Sequence, residues 1–203
     1  MARLSELAPT IRTSLGKIPT FVVDRELLAT AQVFLQETEV WNETREVEAM
    51  AGDEDLLWMP PRGADIYRVV WLSLEGRKLD PVPMATFGEH RLNTRASRPT
   101  RFTQDSLGKV LVNPIPDKTY SGLVHAVYTI RNGDEIPDRL LHQHKSTIMD
   151  GTLATLFMMD TEWGSNQKGR MFWERFQLGI DRAKRRAFRD NSNLVRTTGY
   201  GGI

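Results

Sequence analysis

The chain has no cysteine, which excludes disulfides and thiolate metal sites, so its 203 residues are held together by packing and polar contacts. Long apolar runs are also missing. Leu156 to Met159 is among the longest and falls far short of the about 20 residues that span a bilayer. Nothing from Met1 to Leu15 has the apolar middle of a secretory leader. A soluble chain made in a cytoplasm, with no membrane partner, is the expectation. Neither sign of charge dominates, with 27 Lys and Arg against 26 Asp and Glu, so net charge announces neither nucleic acid nor a membrane surface.

Chemical signatures are equally scarce. No phosphate loop, no G-x-S-x-G elbow and no H-E-x-x-H occurs, and the glycines at 199, 201 and 202 follow no strand and open no helix. His142 and His144 are two apart on a predicted helix and so point about 200° from each other, not to one metal. His125 falls on a strand and His90 beside Glu89 in a loop; both are expected to be ordinary surface or satisfied side chains. No catalytic residue, no metal ligand and no cofactor is therefore expected.

What is present is amphipathic periodicity, strongest from Ile136 to Asp190. In the first arm Leu141, Ile148, Met149, Leu153, Leu156 and Met159 share roughly a third of a helical wheel. The second arm opens at Ser165 or Asn166 and sets Phe172, Phe176, Gly179, Ile180, Ala183 and Ala187 on one face. Glycine inside a helix costs roughly 1 kcal/mol against alanine, so Gly151 and Gly179 point to close approach between the arms, with Gly179 meeting Gly151 and Ala154. A third helix, from about 20 to 41, carries Leu27, Leu28, Ala31, Phe34, Leu35 and Trp41. Pro9 confines any helix among residues 3 to 15 to a short piece on one side of it.

From about 45 to 131 the period becomes that of strands. Strands are predicted at 45–50, 56–59, 66–74, 77–79, 100–104, 109–112 and 123–130, with a tight turn at Glu75-Gly76. Val69 to Leu72 is apolar on both faces, which predicts a central, covered strand. The segment 80–98 reads as a long excursion with a helical turn near Met84 to Leu92. Beyond Asp190 no period remains, and residues 191–203 are expected to be a flexible arm. The expected fold is mainly α: a single domain over 1–190, with helices about 20–41, 137–159 and 166–190, a β-rich insertion about 45–131 and an extended C-terminal arm.

Charge is distributed unevenly. Between Glu37 and Asp55 eight side chains are acidic and only Arg45 is basic, whereas Arg182 to Arg189 holds five basic residues and no acid. Two solvated faces would explain this, and so would an opposite-charge contact between subunits. The candidates for such a contact are Glu46 and Glu48 on one side and Arg182, Arg185, Arg186 and Arg189 on the other. A second cluster comprises Arg91, Arg95, Arg98 and Arg101. Either arginine cluster would suit phosphate, which keeps a DNA-binding module as the alternative function.

Several segments in order carry a resemblance. They are Leu4-Ser5-Glu6-Leu7-Ala8-Pro9, the helix from Asp24-Arg25-Glu26-Leu27-Leu28-Ala29-Thr30-Ala31 to Val40-Trp41, and the strand end Gly76-Arg77-Lys78-Leu79. Val112-Asn113-Pro114-Ile115-Pro116-Asp117 follows, then Asp150-Gly151-Thr152-Leu153-Ala154-Thr155-Leu156, Trp163, Phe176 and Gly179-Ile180. Over nearly its whole length the sequence resembles the head-to-tail adaptor, or connector, proteins of tailed bacteriophages, in particular short-tailed ones. It departs from them at Asp80 to Arg101, which is longer and more basic, leaving tail contact and neighbour contact as alternative roles.

The resemblance implies a structural virion protein of the neck. Its copies would form a dodecameric ring under the portal protein, extend the DNA channel and give the tail (nozzle) protein its platform. Duplex DNA would pass through without sequence-specific binding. Leu194, Val195, Arg196, Tyr200 and Ile203, too apolar for a solubilising tail, are then the expected portal-docking arm.

Overall fold

The computed structural model describes residues 1–16, 18–91, 95–106, 108–131, 133 and 135–195, with the backbone alone at 89–91 and 190–195. In chain order the elements are β1 (Ala2–Arg3), a 3-10 turn (Leu4–Leu7), α1 (Ala8–Leu15), α2 (Thr20–Thr38), β2 (Asn42–Ala49), β3 (Leu56–Leu57), β4 (Ala64–Leu74) and β5 (Arg77–Lys78). They continue with β6 (Asp80–Pro81), α3 (Met84–Arg91), β7 (Arg101–Gln104), β8 (Val110–Asn113), β9 (Tyr120–Ile130), β10 (Glu135–Ile136), α4 (Asp138–Met158) and α5 (Asn166–Val195). With 45% helix, 27% strand and three sheets the fold is mixed α/β, not mainly α. Long periodic helices dominate the sequence pattern, whereas the strands, most of them legible singly, do not announce locally that they assemble into a five-stranded and a three-stranded sheet.

Contacts divide the chain into two compact units, Met1–Trp41 with Ile130–Ile203, and Asn42–Thr129. The first is the helical unit. Pro9 lies in the first turn of α1, where its missing N–H would have had no partner anyway. α2 stops three residues before the predicted end because Glu39 takes a left-handed conformation, φ 51°; Trp41 is buried outside the helix. α4 and α5 pack antiparallel. A Cβ on Gly151 would stand 2.6 Å from Thr30 Cγ2 and 2.8 Å from the Phe176 ring. One on Gly179 would strike Thr147, one turn earlier on α4 than Gly151. The small residues thus bring three helices together as their placement predicts, in a slightly different register.

His144 is a core residue of this unit. It is buried with its ring 4.9 Å from that of Phe34, whereas His142 on the opposite side is exposed. Burial, and second the charge of Arg186, push its imidazole down from 6.5 to about 4. α5 runs on to Val195, so residues 191–195 continue the helix where an arm was expected to begin.

The second unit is built from two sheets, β3-β2-β9-β4-β5 and β6-β7-β8. β9, not β4, is the middle strand. Val47 and Ala49 of β2 face inward and alternate with exposed Glu46 and Glu48, which sit opposite Leu123 and Ser121. The sheets join at both sides. Asp55 bridges to Leu111 and the Val112 amide donates to Glu54 O at 2.9 Å, tying β3 to β8. On the other side the Gln104 side chain spans β7 to β4: its Oε1 accepts from the Val69 amide at 3.0 Å and its Nε2 donates to Ile66 O at 3.4 Å. The result is a small closed roll. Within β4, which lies between β9 and β5, Val69 and Leu72 are buried, Val70 is 39% exposed and Trp71 is half-buried.

One segment fastens an end of this roll. After the cis Asn113-Pro114 bond, Ile115 O accepts from the Ser97 amide and Pro116 O from the Gly52 amide, each at 2.9 Å, while Asn113 O accepts from Thr100 N at 3.0 Å. Tyr120 donates to Asp117 Oδ1 at 2.6 Å, and Lys118 and Arg98 lie over its ring. That hydrogen bond holds the Asp117 carboxyl below its ordinary range and pushes the Tyr120 phenol up to about 12.

Candidate functional site

The exposed face of α5 carries a basic stripe. At about 100° per residue, Met171, Arg175, Leu178, Arg182, Arg185 and Arg189 fall within roughly 80° of arc. All six are exposed, with Leu178 at 55%. The basic segment does not act as one block. Lys184 is paired with Glu37 of α2 at 2.8 Å. Arg186 is turned the other way: with the Gln143 amide oriented to satisfy both groups, it donates to that oxygen from Nη1 at 2.8 Å and from Nε at 3.2 Å. Of the four predicted contact arginines, Arg182, Arg185 and Arg189 therefore share the outward stripe, and Arg186 belongs to the α4–α5 joint. Beside the stripe Phe188 is 76% exposed and stands among the stems of Lys184, Arg185 and Arg189, forming an open apolar concavity.

On the sheet unit Glu46 and Glu48 are on the exposed face of β2 as predicted. His125 is half-buried on β9. It meets Thr44 Oγ1 through Nδ1 at 3.0 Å and stacks on Trp71 at 5.7 Å, and burial alone holds its imidazole below the usual value. In the second arginine cluster Arg95 is exposed and Arg101 half-buried at the start of β7. Arg98 is drawn inward, where its Nη2 donates to Leu74 O at 2.9 Å, and it pairs with Glu75 at 3.6 Å. The side chain of Arg91, like that of His90, lies outside the described residues.

A pocket of about 550 Å³ opens between β3, β4 and the β7–β8 hairpin. Leu56 and Val110 are buried against it, Ile66 and Trp58 are half-buried, and Leu57 is 61% exposed. Its rim carries Asp53, whose Oδ1 accepts from the Asp55 amide at 3.0 Å, and Asp55, which pairs with Lys109 at 3.1 Å. The Asp55 carboxylate raises the Lys109 ammonium above its usual value. Periodicity did not reveal this pocket. The Leu56 to Met59 run reads as a strand, but only two residues pair, and Met59 emerges 83% exposed.

Among the described residues no cluster of three His, Cys, Asp or Glu would hold a metal ion, and no helix is long and apolar enough to cross a membrane. Of the expected docking arm, Leu194 and Val195 lie in the α5 backbone, while Arg196, Tyr200 and Ile203 are outside the described residues. Comparison with protein-family models and with curated proteins finds no match for this chain.

Proposed function

We propose that this chain is a structural virion protein, the head-to-tail adaptor of a tailed bacteriophage. Its copies form a ring under the portal protein at the virion neck, extend the duplex DNA channel and give the tail its platform. The observation that carries this is where the resembling segments fall: they are joints of the fold. Asn113 to Asp117 fasten one end of the roll, and Gly151, Phe176 and Gly179 set the spacing of α2, α4 and α5. Such residues fix the packing within each unit and leave its surfaces to meet partners. A ring needs two different surfaces that complement each other, and the arginine stripe of α5 and the acidic face of β2 have that character.

The test is negative-stain imaging of the purified chain with and without portal rings of the encoding phage. Ring density on the portal, with weak association of the chain alone, is expected. A tight ring at low micromolar concentration without portal would refute assembly in sequence; no density on portal would refute the adaptor role.

The outward grouping of Arg175, Arg182, Arg185 and Arg189 favours a second reading, a DNA-binding module in which these side chains meet phosphates. The two separate by salt dependence. Each phosphate neutralised on a duplex adds about 0.9 to the slope of log affinity against log salt. An adaptor binds duplex DNA weakly, whereas a dedicated module gives a steep slope.

A further inference from the structure

Phe188 and the pocket beside β3 are flanked by side chains of opposite charge. Phe188 is the most exposed aromatic side chain among the described residues, and Arg185 and Arg189 put positive charge beside it. The pocket offers an apolar floor wide enough for an aromatic ring, below an acidic rim made by Asp53 and Asp55. Phe21, 70% exposed, has Asp24 and Arg25 one turn away and so carries no charge of one sign beside it.

We propose that Phe188 of one copy seats in this pocket of a second copy, with Arg185 and Arg189 meeting Asp53 and Asp55. The contact rests on the ring reading and names the joint by which one subunit holds the next. The occupant is another copy because knob and pocket are both carried by every chain, one on the helical unit and one on the sheet unit. Such a contact is heterologous: each subunit uses its knob on one neighbour and its pocket on the other, so it propagates until it closes. An apolar anchor ringed by charges is also the usual form of an energetically dominant contact. Lys109, already paired with Asp55, would be released to solvent or shared as the incoming arginine arrives.

The absence of native cysteine allows a direct test. One sample carries Met59→Cys beside the pocket, another Lys184→Cys one turn before Phe188, and a control carries Val33→Cys on α2; all three positions are exposed and leave Phe188, its two arginines and the pocket lining intact. On oxidation of equimolar mixtures, the 59/184 pair should form a disulfide heterodimer about tenfold faster than the 33/184 pair, because a specific contact raises effective concentration. A chain bearing both Met59→Cys and Lys184→Cys should give a ladder of multiples. Equal rates for the two pairs would overturn the contact. If wild-type chains are still linked into multimers by an amine-reactive reagent, the ring reading survives that result. An internally linked monomer, or a ladder that stops at two, would also overturn it. No association of any kind at high concentration with portal present would overturn both proposals.

Discussion

The amide of Val69 on β4 donates to the side-chain oxygen of Gln104 on β7, at 3.0 Å, where a neighbouring strand would otherwise stand. A single carboxamide thus replaces a stretch of ladder and closes the roll. Gln104→Leu keeps the approximate volume and removes both polar atoms, leaving the buried Val69 N–H unsatisfied at a cost of about 1 to 3 kcal/mol. The expected result is a lower urea midpoint with faster hydrogen exchange at the Val69 amide. Unchanged protection there would show that the strand edge is satisfied in another way.

His144 makes the helical unit sensitive to acid. The unfolded imidazole takes up its proton near 6.5 and the folded one only near 4, so between those values the unfolded state binds more protons. Stability is complete above pH 6.5 and falls as pH drops towards 4, by up to about 3 kcal/mol for this group. His144→Leu should flatten that part of the stability profile relative to wild type. Parallel profiles between pH 7 and pH 4.5 would remove His144 as the cause.

Close approach at Gly151 predicts that a methyl group there is harmful. Gly151→Ala gains about 1 kcal/mol of helix propensity but overpacks Thr30 and Phe176, which typically costs about 1 to 3 kcal/mol. A melting temperature lowered by several degrees is expected, with partial recovery on adding Thr30→Ser, which removes the nearer obstructing atom. A variant more stable than wild type would mean that α2 and α5 yield easily.

Arg185 and Arg186 are neighbours in sequence with different work to do. Arg185→Glu should leave circular dichroism and melting unchanged and weaken self-association, through a contact worth only about 0 to 1 kcal/mol per copy but repeated around a ring. Arg186→Glu removes both hydrogen bonds to the Gln143 oxygen across the α4–α5 joint, and should lower stability before any assembly is measured. Identical behaviour of the two variants would contradict this division.

The last residues are predicted to dock on the portal. Because α5 continues to Val195, the informative truncation begins at Arg196. Removal of 196–203 should preserve circular dichroism and melting temperature and abolish co-sedimentation with portal rings. Full binding by the truncated chain would eliminate the arm, and loss of folding would make these residues part of the core.

The sequence by itself determined the helices, because an amphipathic period over twenty or more residues is a local property. α4 matches its predicted span to within one residue at each end, and Gly151 and Gly179 announced the tight packing by their cost to a helix. It also located every sheet segment except β1, β6 and β10. Tertiary structure alone decided which strands are neighbours: β9 takes the centre because β2 and β4 pair on either side of it, and Gln104 closes the roll from afar. The same holds for the candidate surfaces. Alternation placed Glu46 and Glu48 outside, but only packing separated Arg186 from Arg182, Arg185 and Arg189, and only the bridge of Asp55 to Leu111 opened the pocket beside β3. Periodicity encodes which face a residue shares with its near neighbours in sequence; what that face meets depends on residues far along the chain, and no local pattern carries it.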